Sequence, residues 1–563
     1  SVSGKEEQAK RKAQIERRYR DPAMVYLQKG SRVTTEAVEY VEAILAFLSK
    51  DYNKSIQKAK LASNKTPWRY EPDKLLGDVY AAMANEQRDI GKPDEARSFY
   101  EQAETAYQQA VKKAESDSSV HSGICSLAST AMWMHLYLSG EDPAPWYHKG
   151  IAACDAAVQI DPESDDAHAR RMLVLIRYSQ YQSDHGGDPE PYLQQAIESG
   201  VRATRINPQN AMTYGNLGLA YLFRGDDQVV HGVDAEATFL QSAAAFDRAI
   251  ALHPSNANFH INRGNAYLGV YECRITRGKQ SEKVLMETIN SFRTAIDLNP
   301  ARASSFANLG IAYWDLAEDQ WHRGVDPSSS LQEAVKSLHQ ALKVNPKLLP
   351  ASNNLGGTYV TEAEYILYSG KDPGVMVEKA LQSVSYSLHI DPDNFYALHY
   401  KGRAYSVAAE YLIASGKSAS EPLQKSIESL QKALEANPEN AQALADLGYA
   451  HLLKGQAFVH AGRSPHQVLQ LASSHLDRSL RIDNDDAWTF ECLGKMKLFS
   501  AALLMRGGRS PEPELQSARE YYRGAIQLRS NSLIYQHGLG QVYFYQALSL
   551  MRRKKNIQPS IEE

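Results

Sequence analysis

No stretch of this sequence stays apolar long enough to cross a membrane; none approaches the roughly 18 residues that a span requires. Cysteine is scarce, with Cys125, Cys154, Cys273 and Cys492 as the whole complement. None stands in a C-x-x-C pair, so neither a zinc site nor a redox motif is indicated. They read as small buried hydrophobes, with a disulfide across one hairpin left open to Cys125 and Cys154. An excess of one charge sign is also missing. Lys and Arg number 62 against 66 Asp and Glu, which leaves no basic surplus for a nucleic-acid surface. The 17 histidines never fall into H-E-x-x-H spacing. The start, SVSGKEEQAKRKAQIERRYR, lacks the apolar core of a secretory leader. These absences favour the cytoplasm, or an extracellular place if a leader or anchor was removed. They point to no cofactor, no metal and no catalytic centre.

What the sequence does contain is a period. Pro162, Pro208, Pro254, Pro300, Pro346, Pro392 and Pro438 recur every 46 residues, and Gly140, Gly186, Gly232, Gly278, Gly324, Gly370, Gly416, Gly462 and Gly508 keep the same step. Ten residues after each mark from Pro208 to Pro438, and after Asn484 and Ser530 at the next two steps, stands another glycine, from Gly218 and Gly264 to Gly494 and Gly540. Leu usually precedes it and Tyr often follows three residues later. Leu, Gly and Tyr at those offsets share one helical face. The glycine costs about 1 kcal/mol of helix propensity and lets a neighbouring helix approach closely. A second helix ends just before each proline. It carries Ala157, Ala203, Ala249, Ala295, Ala341, Ala433 and Ala525 next to bulkier Phe246, Phe292, Leu338 and Leu430, a pattern suited to helix packing. Between the two helices runs G-x-D-P, as in Gly140 to Pro143, Gly324 to Pro327 and Gly370 to Pro373. The glycine closes the first helix in a left-handed conformation, Asp caps the second, and Pro takes its first turn.

An aromatic or bulky residue, Leu-Gly, Tyr, then Ala, a bulky residue, Ala and Pro resembles the tetratricopeptide consensus. Tyr214-Gly215-Asn216-Leu217-Gly218-Leu219-Ala220-Tyr221 carries the likeness most fully. The usual unit is about 34 residues, so both helices are lengthened here, to about 21 and 17 residues. The fold that follows is all-α: a right-handed superhelical solenoid of stacked antiparallel hairpins. Residues 1–32 read as a helical or frayed N-terminal segment, 33–115 as two irregular units, 116–529 as nine extended units, 530–551 as a capping helix and 552–563 as a charged tail. Long units with G-x-D-P turns after ERRYRDPAMVYL and PWRYEPDKLLGDVY also resemble the C-terminal region of bacterial serine/threonine protein kinases. No H-R-D, D-F-G or glycine-rich loop on a strand is present.

In tetratricopeptide proteins the first helices line a concave groove. The resemblance therefore implies a protein or peptide partner held by Phe223, Trp314, Tyr396, His399, Arg403, Trp488, Glu491 and Lys495. Reversing the charge of Arg403 and Lys495 is expected to weaken that partner and to spare the fold. The functional reading is a non-catalytic interaction scaffold. Two alternatives stand beside it: a regulatory or sensor region of a bacterial serine/threonine kinase, and a structural subunit that self-associates through its repeat ends into filaments.

Overall fold

The computed structural model describes residues 16–30, 38–279 and 281–552. Residues 1–15 of the N-terminal segment and 553–563 of the charged tail lie outside the described part. Among the described residues every regular element is a helix. A short helix, α1 (Asp21–Gly30), follows a π-helical turn at Glu16–Arg20. The hairpins α2 (Val38–Leu48) with α3 (Tyr52–Lys65) and α4 (Glu71–Asp89) with α5 (Pro93–Lys113) come next.

Nine longer hairpins then follow one pattern. They are α6 (Ser118–Met134) with α7 (Ala144–Ile160), α8 (Asp165–Asp184) with α9 (Glu190–Ile206), α10 (Ala211–Val230) with α11 (Glu236–Leu252), and α12 (Ala257–Ile275) with α13 (Glu282–Leu298). The series goes on with α14 (Ala303–His322) and α15 (Ser328–Val344), α16 (Leu349–Tyr368) and α17 (Gly374–Ile390), and α18 (Phe395–Ala414) and α19 (Ser420–Ala436). Then come α20 (Ala441–His460) with α21 (His466–Ile482) and α22 (Ala487–Arg506) with α23 (Glu512–Leu528), and a lone first-type helix, α24 (Leu533–Arg552). First helices such as α14, α16 and α18 have 20 residues, and their second helices have 17. The chain forms two compact units, Ser1–Gly269 and Val270–Glu563.

The hairpin follows from local chemistry. The glycines from Gly140 to Gly508 that close the first helices have φ between 61° and 73°, a region that side chains with a Cβ avoid. Asp142, Asp326 and Asp372 each accept a hydrogen bond from the backbone N–H two residues on, at 2.9, 3.0 and 2.9 Å, which satisfies an orphan donor of the second helix. In six of the nine longer hairpins a bulky side chain of the second helix lies over a glycine of the first. A Cβ on Gly310, Gly356, Gly402 or Gly448 would stand 2.5 to 2.7 Å from Leu338, Val384, Leu430 or Leu476. Those side chains and the small residues three positions on, Ala341, Ser387, Ala433 and Ser479, are buried.

Two features of the first unit depart from the pattern. Helix α6 runs into a π-helical turn at His135–Ser139 before Gly140. Cys125 and Cys154, both fully buried, are joined across that hairpin, with Cα atoms 5.2 Å apart and 29 residues between them in sequence. Packing as two separate thiols, the simpler expectation for this pair, therefore gives way to a covalent tie. A loop of that length stabilises a fold by about 3 kcal/mol. Cys273 and Cys492 are free and buried.

The second unit turns back on itself. Ser530 Oγ donates to the carbonyl of Gly278 at 3.4 Å, and His322 Nδ1 is hydrogen-bonded to Ser532 Oγ at 2.8 Å. The rings of His322 and Tyr535 meet edge to face at 5.3 Å, and a Cβ on Gly324 would touch Leu533. The start of α24 thus rests on the turns that close α12 and α14. Burial, and then Arg529, hold the His322 imidazole well below its ordinary pKa, so this clasp contains a neutral histidine. No described helix is long and apolar enough to cross a membrane.

Candidate functional site

The inner line of first helices in the second unit is where the candidate residues meet. Trp314 on α14 donates its Nε1 proton to Thr361 on α16 at 2.9 Å. Its ring stands edge to face with Tyr400 on α18, centroids 5.9 Å apart. Gly357 lets these rings meet, since a Cβ there would lie 2.4 Å from Trp314 and 2.9 Å from Tyr400. Farther along, the Arg403 guanidinium donates to both carboxylate oxygens of Glu364 at 2.9 Å. Asp446 on α20 accepts from His399 Nε2 at 2.6 Å and from Trp488 Nε1 at 2.9 Å, and lies 3.9 Å from Arg403 Nε. Lys495 pairs with Glu491 at 2.8 Å and sits over the rings of Tyr449 and Trp488 at 5.0 and 5.1 Å.

Ionisation follows burial and these pairings. Burial raises the Glu364 carboxyl, and Arg403 opposes that rise. For Arg403 and Lys495 burial works against the charge. The facing carboxylates, Glu364 and Asp446 for the first and Glu491 for the second, outweigh it and keep both cations firmly protonated. Asp315 differs. Burial drives its pKa well up, and Glu318 and Glu272 add to the rise.

The candidate residues thus fall into three groups. Trp314, His399, Arg403, Trp488, Glu491 and Lys495 share the inner line of the second unit, and each has a partner inside the chain. His399 and Glu491 are buried outright. Tyr396 is exposed, its ring edge-on to Phe395. Phe223 belongs to the first unit, half-buried beside Leu175 and Leu217. The expectation that Arg403 and Lys495 present free charge, replaceable without harm to the fold, is corrected: both cations are committed to internal carboxylates. Sequence reading named Glu491 and missed the other carboxylates of the line. Glu272, Glu318, Glu364 and Glu410 stand at one repeat offset, 46 residues apart, and that register was the available signal. Among the described residues no group of three or more His, Cys, Asp or Glu could hold a metal ion.

Residues 417–459, which take in α19 and most of α20, match the family model of the tetratricopeptide repeat. A search for curated relatives gave no match. Among solved structures the chain is similar to YrrB, described as a TPR protein with an unusual peptide-binding site, at 18% identity and a TM-score of 0.27 over 44% of this chain and 97% of that one. It is also similar to a tetratricopeptide repeat protein from Parabacteroides merdae, at 14% identity and a TM-score of 0.32 over 66% and 99%. A third similar structure is the human IFIT1 dimer with PPP-AAAA, at 13% identity and a TM-score of 0.30 over 82% and 94%. Residues 417–459 thus carry a repeat of the tetratricopeptide type, and they lie inside a run of like helical hairpins.

Proposed function

We propose that the chain is a protein-interaction scaffold, without a reaction of its own, and that the inner line of the second unit takes a basic segment of a partner. The observation that carries this reading is the charge left over on that line. Arg403 and Lys495 are matched by Glu364, Asp446 and Glu491, while Glu318 brings a further carboxylate close to Arg403 and burial favours the protonated form of Asp315 beside it. Aromatic rings beside them, Trp314 and Tyr400, suit Lys or Arg side chains by cation–π attraction. The test is titration with Lys/Arg-rich and with Asp/Glu-rich peptides of equal length. Basic peptides should bind, more weakly at high salt, and the double change Asp315→Asn with Glu318→Gln should lower their affinity about tenfold or more. Equal binding of both peptides, or no effect of the double change, would overturn the reading. A sensor role beside a kinase domain is a narrower proposal, supported by the resemblance in sequence and checked by whether one polypeptide encodes both.

A further inference from the structure

The contact that turns the second unit back on itself is small for what it joins. On one side stand Ser530, Ser532, Leu533 and Tyr535, at the start of α24. On the other stand Gly278, His322 and Gly324, in the turns that close α12 and α14. Its two hydrogen bonds span 252 and 210 residues of sequence. In between, each hairpin packs on the next, so the closure rests on few side chains.

One titratable ring stands at its centre. Ser532 and Tyr535 are buried. The Ser532 hydroxyl accepts from the Tyr535 N–H at 3.3 Å and keeps its own proton to donate to His322 Nδ1 at 2.8 Å. That arrangement suits a neutral imidazole with its hydrogen on Nε2. A second proton need not break the bond, since the hydroxyl can turn and accept. What opposes the charge is the surroundings. From the connection between α23 and α24 comes Arg529, whose charge acts on the ring and whose Nε is buried without a hydrogen-bond partner. From α24 comes the ring of Tyr535. On α14 itself Trp321 offers another ring, and Asp319 is engaged by Arg323 at 2.8 Å. In the α12 turn Arg277 and Lys279, two further cations, flank Gly278. The one carboxylate of this set is already matched.

We propose that this contact is a proton-operated clasp: a proton on His322 releases the start of α24 from the turns of α12 and α14 and opens the second unit. In the open state the ring meets water and takes a proton near its ordinary value of 6.5, whereas in the closed state burial and Arg529 hold it well below. Closure is therefore at full strength above about pH 6.5 and weakens as pH falls through it, by up to about tenfold in the closed-to-open ratio for each unit. Histidine is the side chain whose charge changes in that range. The clasp uses none of the inner-line residues, so it stands or falls apart from peptide binding.

Thiol accessibility in the 563-residue chain tests this. Ser532→Cys puts a thiol at a position that is fully buried while the clasp is closed. Its rate of reaction with a dipyridyl disulfide, divided at each pH by the rate in urea, reports how often the clasp opens. From about pH 7.5 to about pH 5 that ratio should rise, by about thirtyfold at most. Cys492, buried in the core around α22, is read in the same molecule by peptide mapping and should stay protected. With His322→Gln added, the side chain can still hydrogen-bond but takes no proton, and the ratio at position 532 should be the same at both pH values. A ratio that does not rise with the histidine in place would overturn the proposal. So would a rise that Cys492 shares, or one that survives His322→Gln, since either assigns the opening to other groups.

Discussion

Arg403 shows how one side chain can be read for binding and be used for packing. Its guanidinium holds Glu364 by two bonds and faces Asp446. Arg403→Glu leaves three carboxylates together and should cost about 3 kcal/mol or more, as removal of one partner from a buried pair does. Thermal melting followed by circular dichroism should show the loss before any binding assay is run. A second residue-scale expectation concerns His451 and His475, stacked 5.4 Å apart and nearly parallel. Burial lowers both, with His451 brought to about 4, and each ring or nearby cation adds to the effect. The unfolded chain therefore binds more protons than the native one between pH 6.5 and 4. The stability these rings contribute is complete above the unfolded value near 6.5 and is lost as pH falls toward 4. It amounts to at most about 3 kcal/mol for His451. His451→Phe should flatten that part of the stability–pH curve measured in urea.

At the scale of the element, the hairpin was legible and the contacts between hairpins were not. Prolines and glycines act locally: each ends a helix or bends a turn by its own backbone, and so their spacing in sequence maps directly onto structure. The inner-line pairs are of another kind. Arg403 and Glu364 are 39 residues apart, His399 and Asp446 are 47, and Trp314 and Thr361 are 47. Each joins neighbouring first helices almost one period apart. Taken one offset at a time, the residue types look like a free surface; only complementary types a period apart reveal the partner. The glycines give the sharpest element-scale contrast. Gly402→Leu drives a side chain into Leu430, 2.5 Å from where its Cβ would begin, and should destabilise by about 1–3 kcal/mol. Gly540→Ala meets nothing and should stabilise α24 by up to about 1 kcal/mol through helix propensity alone. Melting curves of the two variants against the parent chain decide this.

For the molecule as a whole, nearest-neighbour stacking implies that a complete period can be removed without loss of fold. Deleting residues 392–437 takes out α18 and α19 together and should leave a helical, cooperatively melting chain. The clasp should behave otherwise. Cysteines placed at 322 and 532 should cross-link in the full-length chain and fail to do so after the deletion, because the stack between them is one hairpin short. A deletion variant that still cross-links there would show that the second unit closes whatever its length. If it does not, the meeting of His322 with Ser532 and Tyr535 works as a ruler. A solenoid that only grows outward tolerates duplication anywhere. One whose far end must land on its own earlier turns tolerates it only outside the ruled stretch, so insertions of a period between residues 322 and 532 should be selected against while those before residue 270 are free to accumulate.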